Sequence, residues 1–417
     1  MLFNRPELMI KCPELIRHVL VKDFSHFQDR TFSSEEDTDD LSSNMIFFMK
    51  HPKWKILRSK TTPIFSSKNL RAMYPEMQKA TKSLIDFINT KNNKLIEIMN
   101  LSAKYTTQAG FMAAFGVDSK SFQDIDTPLV SIGRNSFKVT FSSIAYVLCH
   151  HWKCSIAYIC KPKLIRSSIA KFLKNVFIGI LEERRLLNYH RGDFVDFLIK
   201  LKDESNLRDN EIVAQASQFL MAGYESTNVT ISLALYELAL NKCIQNKLRE
   251  EVLTNLDDNG DLSYEILNTM DYLDKIIYET LRKYPIFPGI GRTCTKDYRI
   301  PNTAIVIEKG VAVIISLSGM HHDPKYFPDP EVFDPERFAT DNVRRRHPYA
   351  FLPFGEGQRN CIGQRLGLLL VKLGVAYVIK SFEIDVCRET MFPLEFDPKK
   401  FNLSVNGGIY IQFTKID

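Results

Sequence analysis

An uninterrupted helical pattern from Asn210 to about Leu240 constrains this 417-residue chain more than any other feature. About 30 residues rising about 1.5 Å each make a rod of roughly 45 Å, enough to cross a whole domain. A rod of that length must be central, because only packing along its length can bury it. Asp209 or Asn210 suits its N-cap. Midway along it runs Met221-Ala222-Gly223-Tyr224-Glu225-Ser226-Thr227-Asn228. Glycine inside a helix costs about 1 kcal/mol against alanine, and buried polar groups need partners or a task. A polar kink is the plain reading of this octet, and a site is the sharper one.

Helical periodicity holds from about residue 70 to residue 285, with a second helix expected over Tyr264–Tyr284, ended by Pro285. Beyond it the pattern changes. TAIVIEKGVAVIISL reads as two short strands around a turn at Lys309-Gly310, and LSVNGGIYIQFTKI as a hairpin turning at Asn406-Gly407-Gly408. Proline-rich loops lie between, in YFPDPEVFDPERF. The class is therefore mainly α with a minor β portion. No linker divides the chain, so residues 1–417 read as one unit.

Composition narrows the function. The 45% hydrophobic content supports a core without disulfide staples. Cysteines at 12, 149, 154, 160, 243, 294, 361 and 387 form no regular framework, so reduced thiols are the default. Cys149, His150, His151, Cys154 and Cys160 invite a zinc check, but the segment is apolar and lacks a CxxC knuckle. The net charge of +6 is mild, and no basic stripe interleaved with aromatics marks a nucleic-acid binder. The densest basic run, Arg344-Arg345-Arg346-His347, is either a solvated loop or part of a dock for an acidic partner. No uncharged apolar stretch is long enough to span a membrane, and MLFNRPELMI is not a signal peptide.

The segment Phe354-Gly355-Glu356-Gly357-Gln358-Arg359-Asn360-Cys361-Ile362-Gly363 delivers a cysteine to a helix expected to run to about Lys380. Free N–H groups at a helix start lower a thiol pKa. Hydrogen bonds to the sulfur tune its donation. A thiolate axial to iron pushes electron density toward O–O cleavage. Arg359 is expected to point away from the sulfur toward an acidic group. From the cysteine and glycines alone, a buried structural cysteine is the stronger reading.

The full pattern shifts that weight. Phe354, Gly357, Arg359, Cys361 and Gly363 match FxxGxRxCxG, which resembles the cytochrome P450 signature. Four further matches stand in order: Trp54-Lys55-Ile56-Leu57-Arg58 with the family's WxxxR pair, Ala222-Gly223-Tyr224-Glu225-Ser226 with its oxygen-binding stretch, Glu279-Thr280-Leu281-Arg282 with ExxR, and Phe333-Asp334-Pro335-Glu336-Arg337-Phe338 with PERF. The resemblance covers essentially the whole chain. Phrases such as LVKDFSHFQDR and HHDPKYFPDPEVFDPERF are most similar to insect microsomal members.

The resemblance implies the cytochrome P450 fold with haem b between the long helix and the helix after Cys361, whose thiolate is the axial ligand. Ala222, Gly223, Phe354, Gly357 and Gly363 would line the haem. Arg58, Arg292 and Arg359 would contact its propionates, with a further hydrogen bond from Trp54; a planar guanidinium fork matches carboxylate geometry. Glu279 and Arg282, otherwise an ordinary helix-surface pair, would form a buried triad with Arg337. Glu225 and Ser226 would relay protons to dioxygen, with Thr227 as a second hydroxyl. The usual family residue at 226 is threonine; serine loses the methyl that fixes the rotamer.

The implied activity is insertion of one oxygen atom from O2 into lipophilic substrates, with electrons from NADPH-cytochrome P450 reductase and cytochrome b5 as a further candidate donor. Substrates would be xenobiotics such as insecticides or plant toxins, or endogenous lipids or hormones. The place would be the cytosolic face of the endoplasmic reticulum membrane, with peripheral contact near residues 137–165. Against the family's usual pattern, the sequence is expected to lack the N-terminal anchor, hinge and first helix. An open sheet edge is therefore expected near its start, with Phe24 and Phe27 short of apolar cover. Cys12 stands where an acidic residue is usual and Ile286 where a proline is usual. Two rival readings remain: a haem-thiolate isomerase or dehydratase, and an inactive chain that only binds ligands.

Overall fold

The computed structural model describes residues 6–32, 40–91, 95–123, 127–136, 142, 144–146, 163–397 and 403–416. Helix makes up 58% and strand 9%, which places the fold in the mainly α class with small sheets. The helices that frame the site are α1 (Lys53–Thr61), α2 (Ser67–Thr90), α3 (Ile98–Gly110), α4 (Ser167–Leu186), α5 (Phe194–Ser205), α6 (Asp209–Leu240), α7 (Lys242–Thr254), α8 (Tyr264–Thr269), α9 (Asp271–Lys283) and α10 (Gln364–Ser381). The 32-residue α6 is the axis on which α3, α4, α9 and α10 pack, and every residue from Thr227 to Ala239 is buried. Its N-cap is Arg208, not Asp209 or Asn210: the Glu211 carboxylate accepts the Arg208 backbone N–H at 2.8 Å. Glu211 reaches back from the first turn as in a capping box, with Arg208 where serine or threonine usually stands.

Gly374 sets how closely the core helices approach. A Cβ there would lie 2.9 Å from the Tyr105 ring on α3 and 3.3 Å from Ile231 on α6. Without it, α3, α6 and α10 meet, and the Tyr105 hydroxyl donates to the Leu370 carbonyl at 3.1 Å. The expected helix over 264–284 is two helices, because Met270 adopts an extended conformation and α9 restarts at Asp271.

The strands are β1 (Glu7–Ile10), β2 (Leu95–Glu97), β3 (Gly289–Thr293), β4 (Tyr298–Arg299), β5 (Val306–Ile307), β6 (Ala312–Ser316), β7 (Phe382–Asp385) and β8 (Tyr410–Lys415). One sheet has the order β1-β6-β3, with β1 parallel and β3 antiparallel to β6; a second has the order β2-β8-β7. The strands flanking Gly310 do not pair with each other: β5 joins β4, and β6 joins β1 and β3. The C-terminal hairpin is likewise not formed. A turn occurs at Asn406-Gly407, but Val405 bridges to Phe396 while β8 pairs with β2 and β7. In both cases the strands pair with other segments and not with the neighbour across the turn.

Among the described residues β1 lies at one end of its sheet, and Phe24 and Phe27, expected to lack apolar cover, are buried. Phe24 packs on Trp54 and Phe27 on Tyr298, each inside a hydrophobic core. No helix among the described residues is long and apolar enough to cross a membrane.

Candidate functional site

The Cys361 loop is clamped before it reaches α10. Gly357 sits at φ +75, and a Cβ there would fall 2.1 Å from the Leu20 carbonyl oxygen. Only glycine allows both that conformation and that contact. The Cys361 N–H donates to the Phe354 carbonyl at 2.8 Å, closing the loop on itself. Upstream, the Leu352 N–H donates to Nε2 of the buried His321 at 3.1 Å, and burial pushes His321 down to about 3.

The Cys361 side chain is solvent-accessible although protein atoms surround it on most sides. Burial raises its pKa, opposed by a hydrogen bond from the Gly363 N–H and by the charges of Arg30 and Arg58. The sequence expectation of a lowered thiol pKa therefore fails for the protein alone. The helix starts only at Gln364, and desolvation outweighs the local donors.

Four guanidinium groups gather beside this loop. Arg359 donates from Nε to the Gln28 carbonyl at 2.6 Å, and from Nη2 to Met49 O at 3.0 Å and Asp29 Oδ1 at 3.3 Å. Its guanidinium lies 4.0 Å over the Trp54 ring. Arg58 donates to Asn360 Oδ1 at 2.8 Å. Arg292, on β3, donates from Nη1 to the Gly291 carbonyl at 3.0 Å. Arg30 donates to Phe47 O at 3.2 Å and Arg359 O at 2.9 Å.

Asp29 is the carboxylate this cluster contacts. Arg292 Nε and Arg359 Nη1 are buried with no hydrogen-bond partner among the described residues. Burial pushes Arg359 down to about 9 and Arg30 to about 10, and holds Arg292 well below its ordinary value. Arginine keeps its charge in proteins, and buried guanidinium nitrogens without partners call for an anion beside them. A flat dianionic ligand with a metal able to take a thiolate fits these residues. Haem has that chemistry.

The long helix supplies another wall. Ala222 and Gly223 are accessible in the middle of an otherwise buried rod, and a Cβ added at Gly223 would meet nothing within 4 Å. Glu225 and Ser226 are half-buried, whereas Thr227 is buried at 2% exposure. The Ser226 hydroxyl donates to the Ala222 carbonyl at 2.7 Å, one turn back along its own helix. Two bridges tie this wall to the Cys361 side. The Phe65 ring stacks on Phe219 of α6 with centroids 6.1 Å apart, and it lies 3.8 Å from where a Gly363 Cβ would be. Segment 44–49 is held by Gln215 and Gln218 of α6 at one end and by Arg30 and Arg359 at the other.

Glu279, Arg282 and Arg337 come together beneath the site. Arg282 grips Glu279 with two bonds, Nε to Oε2 at 2.7 Å and Nη2 to Oε1 at 2.8 Å, and both residues are fully buried. Arg337 Nε approaches Glu279 Oε1 at 3.4 Å, an ion pair without hydrogen-bond geometry, and the Asp334 N–H donates to the same oxygen at 3.0 Å. Burial raises the Glu279 pKa against the pull of Arg282. Of the basic run, Arg344 and Arg345 are exposed. Arg346 turns inward over the Phe327 and Phe338 rings, so the run is not a uniform patch.

Sequence reasoning missed Arg30, Asp29, Phe47 and Gln218. Their role depends on long-range contacts, and no local pattern marks them. Arg359 faces Asp29 and backbone carbonyls, where the sequence suggested only an acidic group. Cys149, His150, His151, Cys154 and Cys160 lie outside the described residues, as does most of 137–165. No other metal-ligating group of three or more residues occurs among the described ones.

The sequence model of the family described as Cytochrome P450 matches residues 1–411. Cytochrome P450 6k1 of Blattella germanica is 36% identical over 99% of this chain and 84% of its own length. Probable cytochrome P450 6a13 of Drosophila melanogaster is 36% identical over 100% and 85%, and cytochrome P450 6j1 of Blattella germanica 33% over 100% and 84%.

Proposed function

The chain belongs to the cytochrome P450 family and is a haem-thiolate monooxygenase, and on that premise we propose a role in oxidising small lipophilic compounds, xenobiotic or endogenous. Haem held by Cys361 and the arginine cluster supplies dioxygen activation and oxygen-atom insertion. The chain's own residues do the rest. Arg30, Arg58, Arg292 and Arg359 bind the propionates, and Trp54 supports Arg359 from below. Phe354, Gly357 and Gly363 shape the loop, while Ala222 and Gly223 leave room beside the helix.

Glu225 and Ser226 carry protons inward. Ser226 Oγ–H gives up its bond to the Ala222 carbonyl, passes that proton inward and is reprotonated from the Glu225 carboxyl. Thr227, buried on the same helix, is the second hydroxyl that could take over the relay. Electrons come from NADPH through the reductase, with cytochrome b5 as a second donor, at the cytosolic face of the endoplasmic reticulum.

One observation supports this reading: beside the accessible Cys361 thiol, on which Arg30 and Arg58 act, the buried Arg292 Nε and Arg359 Nη1 have no hydrogen-bond partner among the described residues. The test supplies the purified chain with reductase, NADPH, a lipophilic substrate and isotope-labelled dioxygen. One labelled oxygen per product, with NADPH consumed, is expected. Product formed without label or NADPH use would assign an isomerase or dehydratase instead.

A further inference from the structure

Segment 44–49 joins the long helix to the arginine cluster, and its anchor on the helix is a side chain that no motif marks. Gln218 Oε1 accepts the Phe47 N–H at 2.8 Å. Phe47 in turn carries Arg30 twice: its carbonyl accepts Arg30 Nη1 at 3.2 Å, and its ring lies 4.1 Å from the guanidinium carbon. Arg30 Nη2 then reaches the carbonyl of Arg359, two residues before Cys361.

We propose that Gln218 is a positioning residue for haem retention, acting through Phe47 on Arg30. The inference rests on the reading that the arginine cluster holds the haem. A free arginine side chain loses much rotamer entropy when it binds an anion. A platform fixed in advance removes part of that cost. Phe47 is such a platform only while its own N–H is held, and Gln218 holds it. Gln215, one turn earlier on the same helix face, grips the same segment at the Asn44 carbonyl at 2.6 Å. Its amide donates to the Asn44 and Glu211 carbonyls, away from Phe47 and Arg30, so it serves as an internal control.

The experiment measures transfer of haem from the purified holoenzyme to excess apomyoglobin, with far-UV circular dichroism confirming the fold of each variant. Gln218→Met keeps the length and removes the acceptor; Gln218→Leu replaces it if the methionine variant does not fold. Transfer should accelerate about three- to tenfold, the effect of one net hydrogen bond. Gln218→Glu keeps an acceptor and should stay within about twofold of the parent, well inside the spread of a single hydrogen bond. In an Arg30→Gln background the Gln218→Met effect should vanish, whereas a Gln215→Leu effect should persist, because only coupled residues depart from additivity. An undiminished Gln218→Met effect in that background, or no acceleration at all, overturns the inference. If Arg30→Gln alone leaves transfer unchanged, the arginine reading of the haem site falls first.

Discussion

Arg282→Met tests whether the Glu279–Arg282–Arg337 cluster is structural in the strong sense. The substitution keeps length and apolar bulk but removes both short bonds to Glu279 and the bond to the His321 carbonyl at 3.1 Å. Glu279 keeps the Asp334 N–H and the distant Arg337. Stranding one partner of a buried pair costs about 3–5 kcal/mol. Unfolding entropy of about 2.1 cal/mol/K per residue gives about 0.9 kcal/mol/K for this chain, so the midpoint should drop about 3–6 °C.

The loss should also depend on pH. Burial already raises the Glu279 pKa in the folded chain, and losing Arg282 raises it further. The unfolded chain then releases this proton first as pH rises. The contribution of Glu279 to stability is therefore greatest below about pH 4 and falls as pH climbs from there toward the raised folded value. Thermal melts by circular dichroism across that range read both effects. Adding Glu279→Gln to Arg282→Met should recover part of the stability and flatten the pH dependence. A midpoint unchanged within about 1 °C, or a loss independent of pH, would refute the buried-charge reasoning.

Cys361→Ala should abolish the thiolate signature in the reduced carbon-monoxide difference spectrum, while Cys294→Ala and Cys387→Ala should keep it; a normal spectrum in the first variant would sink the ligand assignment. Ser226→Ala should bind substrate normally but divert NADPH-derived electrons to peroxide, and unchanged coupling would move the relay to Thr227. Gly357→Ala should cost about 1–2 kcal/mol from the left-handed backbone alone and more from the collision with Leu20, read as lower haem retention on warming. Gly367→Ala, where a Cβ meets nothing within 4 Å inside a helix, is the control and should be neutral or stabilising.

What the sequence determined by itself is what local chemistry can encode. A rod of 32 residues had to be central, and a loop crowded with glycine had to deliver Cys361 in a special conformation. The spacing of Glu279 and Arg282 placed them one turn apart on a helix. Ordered motifs added the haem by resemblance.

Tertiary structure alone decided the rest. Strand partners at β5, β6 and β8 went against the nearest neighbour, because pairing depends on where the core places each edge. The thiol pKa rose although local donors favoured the thiolate, because desolvation is set by everything packed around the sulfur. Arg30 joined the site, and Arg346 left the basic run, through contacts with residues distant in the chain. Periodicity and motif report a residue's own neighbourhood. Burial and charge pairing report what the fold brings to it.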